Sequence, residues 1–244
     1  MMPSMWNGTD KMTCEQYKEK LFETYRLVNV LAEKNDCLAY RIRHKTLEKD
    51  LVLHQFPKAV IAYQKLSEIR SEHLPLIYDA IDLEDGQIVL EEYLEGLTIA
   101  DVMVSGRYRY RGAARVLRGV CNGLEILHRY GLVHRDVKPE NVVITKNGRV
   151  VLIDFNASRQ CSEAKKDTVI MGTVGYASPE QMGVSQSDAR ADIYAVGVLL
   201  NVMLSGKHPS EKIVGGRAGR IVRRCTAMHP DERFQSAEKL AKAL

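Results

Sequence analysis

One short segment of this chain fixes much of what it can become: His134-Arg135-Asp136-Val137-Lys138-Pro139-Glu140-Asn141. Ahead of it, Ala113–Tyr130 carries apolar residues at Val116, Val120, Leu124 and Leu127, a helical spacing that Gly131 stops. Behind it, Val142–Ile144 and Val150–Ile153 read as short strands around Lys146-Asn147-Gly148, a strong hairpin signal. Asp154-Phe155-Asn156 follows the second strand directly, eighteen residues after Asp136. That gap leaves room for the hairpin between two carboxylates, one on a loop and one at a strand end.

The pattern on either side divides the chain in two. From Tyr25 to Phe56, Val28, Val30, Leu38, Tyr40, Ile42, Leu51, Val52 and Leu53 favour extended chain. Polar turns at Glu33–Asp36 and Lys45–Lys49 break it into a three-stranded meander. A helix is expected near Lys58–Ile69, then strands near Leu76–Ile81 and Gln87–Glu92. Beyond Gly96 the period is mostly helical, with Asp192–Leu204 strongly apolar and residues 156–185 without a regular period. Residues 1–20 begin polar and turn into a short amphipathic helix with Tyr17, Leu21 and Phe22 at helical spacing. The expected organisation is an N-terminal helical extension over 1–24, then one domain over 25–244. Within that domain a small β-rich part runs to about residue 93 and a larger helical part from about 94.

Composition excludes more than it selects. A net charge of +4 permits an anionic ligand without predicting one. No apolar run reaches the roughly 18 residues a bilayer span needs. The longest, Ala195–Leu204, contains Asn201 and reads as a buried helix. No basic start precedes an apolar stretch, so no secretion signal is expected. The five cysteines show no C-x-x-C spacing, which points to free thiols in a reducing cytoplasm rather than zinc or disulfides. Arg107-Tyr108-Arg109-Tyr110-Arg111 interleaves base and aromatic, but it precedes a long helix and reads as a solvated helix start, not a nucleic-acid site. Arg217, Arg220, Arg223 and Arg224 read as a charged helix face. His44, His73, His128 and His208 lack metal-ligand spacing and read as surface or packing residues.

Phosphoryl transfer to a hydroxyl needs a carboxylate to orient the acceptor and an amide to hold a metal on the phosphates. Asp136 and Asn141 stand five residues apart on one loop, with the cation of Lys138 between them. Asp154, at a strand end, is well placed to grip Mg²⁺. Gly172-Thr173-Val174-Gly175-Tyr176-Ala177-Ser178-Pro179-Glu180 then closes the segment, with Asp192 and Arg233 downstream.

In order and spacing these residues resemble the catalytic loop, metal-binding Asp motif, P+1 loop and Ala-Pro-Glu motif of the eukaryotic-type protein kinases. The form is close to that of small bacterial Ser/Thr kinases, and the likeness runs from about Tyr25 to the C-terminus. It implies an α+β, bilobal protein kinase-like fold, ATP and Mg²⁺ if nucleotide binding is retained, and a protein substrate or client. It implies Asp136 as catalytic base, Asn141 and Asp154 as metal ligands, and Lys138 as the phosphate contact. Thr173 is implied to brace Asp136 and Lys138, Glu180 and Arg233 to form a buried anchoring pair, and Asp192 to hold the catalytic-loop backbone. Lys138, two residues after the base, resembles Ser/Thr rather than tyrosine kinases. Arg135 marks the class switched by activation-loop phosphorylation, with Ser162 and Thr168 as candidate acceptors and Glu163 or Asp167 as fixed charges.

Elsewhere the family pattern fails. Aligning Leu31–Ala39 with the kinase Gly-rich loop puts Ala32, Lys34 and Cys37 at its three glycine positions, where side chains obstruct the backbone's approach to phosphates. His54 follows Leu51-Val52-Leu53 in place of the lysine that contacts the phosphates. The glutamate expected on the next helix falls near Ala62, with Gln64 and Glu68 as neighbours. Asn156 replaces Gly in the metal motif. The gatekeeper position is Glu91, before hinge residues Glu92–Leu94, and it could pair with His54. The nucleotide-binding positions implied are Ala32, Lys34, Val52, His54, Glu91, Glu92, Leu94 and Val143. Two readings follow: an active kinase whose lysine comes from elsewhere, with Lys34 ahead of Lys49 and Lys58, or a pseudokinase scaffold. Only 24 positions separate Pro209 from Arg233, so the region that often docks substrates is short.

Overall fold

Thr13 starts the first helix, α1 (Cys14–Thr24), with a reciprocal cap: its hydroxyl accepts from the Gln16 N–H while the Gln16 side chain accepts from the Thr13 N–H. The computed structural model describes residues 12–34, 36–160, 175–182 and 188–244. They fall into two compact units, one comprising the chain to Ser71 with Pro75–Leu94, the other Glu72–Leu74 with Glu95–Leu244.

The first unit is built on one antiparallel sheet. Its strands are β1 (Tyr25–Lys34), β2 (Cys37–His44), β3 (Asp50–Phe56), β4 (Ile77–Leu83) and β5 (Gly86–Glu92), in the order β1-β2-β3-β5-β4. Side chains alternate between faces. Ile42 opposite Leu51, and Leu53 opposite Leu90, lie on one face and form a core with Cys14, Tyr17 and Leu21 of α1. The helix called an extension from sequence thus places its apolar stripe in the core of this sheet. The other face carries Ala39 opposite His54, Arg41 opposite Val52, and Val52 opposite Glu91. Against this face lies α2 (Ile61–Leu66), shorter than the Lys58–Ile69 helix expected. Gly86 turns the β4–β5 hairpin where no side chain fits, since a Cβ there would sit 2.1 Å from the Phe56 carbonyl oxygen.

The second unit is mainly helical. A three-stranded sheet joins β6 (Gly96–Thr98), β8 (Val142–Thr145) and β9 (Val150–Leu152), and a two-stranded one joins β7 (Leu132–Val133) with β10 (Arg159–Gln160). Around them pack α3 (Ile99–Val104), α4 (Tyr110–Arg129), α5 (Ala189–Ser205), α6 (Gly216–Cys225) and α7 (Ala237–Ala243). Gly206 ends α5 in the left-handed conformation at φ 70°. Asp192 does not open α5: Asp188 caps it, accepting from the Arg190 N–H, and Asp192 lies a turn inside.

No helix follows between α5 and α6, and a buried amide takes its place. Asn201 donates to the Lys207 and Lys212 carbonyls (2.8 Å each) and accepts from the Val214 N–H (3.0 Å), so the polar residue within the apolar run Ala195–Leu204 folds the connector. Among the described residues no helix is long and apolar enough to cross a membrane. Cys14, Cys37, Cys121 and Cys225 form no disulfide, and Cys161 lies outside the described residues.

Candidate active site

The loop His134–Asn141 hangs from one carboxylate. Asp192, wholly buried on α5, accepts from the backbone N–H of His134 (2.9 Å) and of Arg135 (2.8 Å), and its Oδ2 lies 2.8 Å from His128 Nε2. Burial pushes this carboxyl up, but the His128 hydrogen bond, the two neighbouring imidazoles and the Arg135 N–H outweigh it and hold Asp192 below the ordinary carboxylate range. Two residues of the site also have strained backbones, and only Arg135 of the two is held by the clamp. Arg135 sits at φ 70° and Asp154 at φ 67°, which costs a non-glycine residue about 1–3 kcal/mol.

With the loop so fixed, its polar side chains converge. Lys138 Nζ is 2.7 Å from Asp136 Oδ2, while Asn141 Nδ2 donates to the Asp136 carbonyl (2.8 Å) and to the same carboxylate oxygen (3.0 Å). The Ile153 N–H donates to the Asn141 carbonyl (2.9 Å), and His134 Nε2 lies 3.1 Å from the Ile153 carbonyl oxygen. Asp154 therefore directly follows Ile153, which lies just past β9 and is bonded to both ends of the loop. The Asn156 N–H donates to Asp154 Oδ1 (3.3 Å), and Phe155 packs edge-on to His134. Because Asn141 uses its amide N–H groups on Asp136, its Oδ1 is left to accept. That oxygen and the Asp154 carboxylate are hard donors that fit Mg²⁺ better than a soft metal.

The end of the activation segment is tied down from two sides. Arg233 donates to both Glu180 oxygens (2.6 and 2.9 Å) and to the carbonyls of Ala227, Arg190 and Met228. Burial pushes Glu180 up, yet the Arg233 hydrogen bonds and charge bring it below the ordinary range. Gln181 accepts from the N–H and hydroxyl of Ser178 and donates to the Arg135 carbonyl (2.9 Å), linking this segment to the catalytic loop. Thr173 lies outside the described residues, as do Ser162, Glu163, Asp167 and Thr168.

In the first unit, His54 Nε2 lies 3.4 Å from Glu91 Oε2. Both atoms are buried, and although the distance allows an ion pair, their directions miss hydrogen-bond geometry and neither has another partner. His54 stacks on Phe56 (5.6 Å between ring centroids) and against Tyr63 (5.8 Å). Of the residues open from sequence, Ala62 is buried, Gln64 bonds to Asp82, and Glu68 is exposed beyond the helix; Tyr63 is the α2 residue that reaches His54. Val52 is buried on the same sheet face, Ala32 is exposed, Leu94 half-buried, and the backbone of Lys34 belongs to β1. Glu92 holds the entry to β4, exchanging backbone and side-chain hydrogen bonds with Leu76. Lys49 donates to the Tyr78 hydroxyl (2.8 Å). Val143 is buried in β8 of the second unit.

Two residues, Gln181 and Tyr63, escaped the sequence reading, and a third, His128, read there as a surface or packing residue, instead binds Asp192. His128 gave one signal, a basic residue in the last turn of α4. The other two look like ordinary helix and turn residues until their contacts are known.

The family model described as protein kinase domain matches residues 28–243. A relative named "Probable serine/threonine-protein kinase pknA2", from Bifidobacterium longum, is 30% identical over 202 residues, 76% of this chain and 27% of its own length. Serine/threonine-protein kinase PknL of Mycobacterium tuberculosis is 38% identical over 149 residues, 59% of this chain and 37% of its own. Serine/threonine-protein kinase PknB of Mycolicibacterium smegmatis is 31% identical over 156 residues, 62% of this chain and 23% of its own. The matched part is thus well under half the length of these curated relatives.

Proposed function

The chain belongs to the protein kinase family, and from that premise we propose that it is a Ser/Thr kinase moving the γ-phosphoryl group of ATP to a protein hydroxyl. The observation that carries the reading is the Asp136 carboxylate oxygen held at once by Lys138 (2.7 Å) and Asn141 (3.0 Å). Bound Mg²⁺ would neutralise charge on the phosphates. The chain's own side chains do the remaining work. Asp136 orients the acceptor hydroxyl and takes its proton on a carboxylate oxygen. Lys138 swings its ammonium between that carboxylate and the negative charge of the group in transfer. Asn141 and Asp154 are the residues that would hold the metal. Lys138 and the names of the matched relatives support Ser or Thr as acceptor. Cys14, Cys37, Cys121 and Cys225, all outside disulfides, support a reducing, cytoplasmic setting, and the family match supports protein partners.

A second reading, a pseudokinase that binds protein partners with little transfer, is favoured by His54 at the lysine position and by Ala32 and Cys37 at glycine positions. Incubation with γ-labelled ATP, Mg²⁺ and a Ser/Thr-rich protein separates the two. Transfer that Asp136→Asn abolishes supports the enzyme. Metal-dependent nucleotide binding without transfer supports the scaffold.

A further inference from the structure

In the protein kinase family the cation on the third strand pairs with an acidic residue on the following helix, and the position of that helix controls activity. Helix α2 offers His54 no such partner. It contributes Tyr63, whose ring stacks with Phe56 (5.3 Å) and leans on His54 (5.8 Å). The aromatic stack sets the plane of the imidazole, since Phe56 and His54 are inclined by only 10°. Its edge points elsewhere. Val52 pairs with Glu91 and His54 with Val89, so Glu91 stands diagonally across from His54 on the adjacent strand, within reach of a long side chain.

Among the described residues nothing else claims Glu91 Oε2. Its residue is 5% exposed, and Oε2 has no hydrogen-bond partner. Arg41, on the same sheet face, is engaged by Asp50 and by the Tyr93 ring (4.3 Å). A buried carboxylate oxygen left alone is costly, and a small rotation of either side chain would turn the 3.4 Å approach into a hydrogen bond. We propose that Glu91 is the positioning residue for His54, so that the imidazole standing at the lysine position is aimed by strand β5 and not by helix α2. The role of the aimed imidazole, meeting nucleotide phosphate, rests on the kinase reading above. Because β3 and β5 are hydrogen-bonded neighbours, displacement of α2 cannot break this pair. Control through the helix partner is absent from this design.

A double-mutant cycle on Mg²⁺–ADP affinity, with a ¹⁵N spectrum of the His54 ring in the ligand-free protein, tests the proposal. Glu91→Gln should weaken Mg²⁺–ADP about tenfold when His54 is present, the effect of one charge-assisted hydrogen bond. It should weaken binding less than about twofold when His54 is already Ala. The Nε2 signal should change on Glu91→Gln and stay in place on Tyr63→Phe. Equal losses in both backgrounds, or a ring signal indifferent to Glu91, overturn it. If the parent protein binds no Mg²⁺–ADP, the kinase reading fails while the ring spectrum still decides the role of Glu91. Should Glu91→Gln not fold, Glu91→Asp, which draws the carboxylate back by one methylene, serves in both measurements with the same expected outcomes.

Discussion

The guanidinium of Arg233 lies between the Glu180 carboxylate and three backbone carbonyls, and both side chains are buried although 53 positions apart. Removing one partner strands the other without water. Arg233→Met is therefore expected to lower stability by about 3–5 kcal/mol, read as a shift of the urea midpoint. Adding Glu180→Leu should recover part of the loss. It should not recover all, because the carbonyls of Ala227, Arg190 and Met228 also lose their donor.

Asp50 gives the first unit a dependence on acid. Arg43 chiefly, then Arg41, hydrogen-bonds its carboxylate and holds it down at about 2, from an ordinary 3.8. A carboxyl depressed in the folded state stabilises fully above its unfolded value and loses that contribution as pH falls through the folded one. The advantage of the parent over Asp50→Asn should thus be constant above pH ~4.5 and shrink between pH ~4 and ~2. Thermal midpoints of the two proteins across that range measure it. A gap that persists unchanged at pH ~2 would refute the assignment.

The contrast between these two sites also shows what a sequence makes legible. Asp136, Lys138 and Asn141 lie within six consecutive positions, so their convergence needs only a tight loop, and their chemistry could be read directly. His128 could not, because its importance comes from Asp192, 64 positions away, and from the two backbone N–H groups that share it. Helix α1 showed its periodicity but not its destination; the apolar stripe of Tyr17 and Leu21 specifies burial without naming the sheet that provides it. At the lysine position the sequence points to a His54–Glu91 approach but not to Tyr63, since an aromatic residue in a short helix carries no mark of the ring it will stack on. Thr173 lies outside the described residues, and its bracing role stays an expectation from resemblance.

Because α1 completes a core rather than decorating it, its apolar residues should matter as much as those of the strands. Leu21 is 3% exposed and packs with Leu51, Leu53 and Leu90. Leu21→Ala is expected to cost about 2–4 kcal/mol through lost transfer energy and the cavity left behind. The neighbouring exposed Glu19→Ala should fall within about 0.5 kcal/mol of the parent. Denaturant curves on both variants distinguish a core helix from a loosely attached one.

His128 offers the cleanest separation of loop positioning from chemistry. Its hydrogen bond is to Asp192, where it is one of three donors on the carboxylate that suspends the loop His134–Asn141. His128→Phe keeps an aromatic ring and deletes the donor. A hydrogen bond to a charged group contributes about 1.5–3 kcal/mol, so a stability loss of that size is expected. The acid limb should move as well. Without His128, less opposes the upward push of burial on Asp192, so the acid-dependent loss of stability should be smaller than in the parent and should be complete at a higher pH. If the loop is held chiefly by this clamp, phosphotransfer should drop about tenfold or more in kcat, with the KM for ATP nearly unchanged. A variant with lowered stability but the parent's kcat would show that the two backbone N–H groups suffice, and that His128 serves the fold alone.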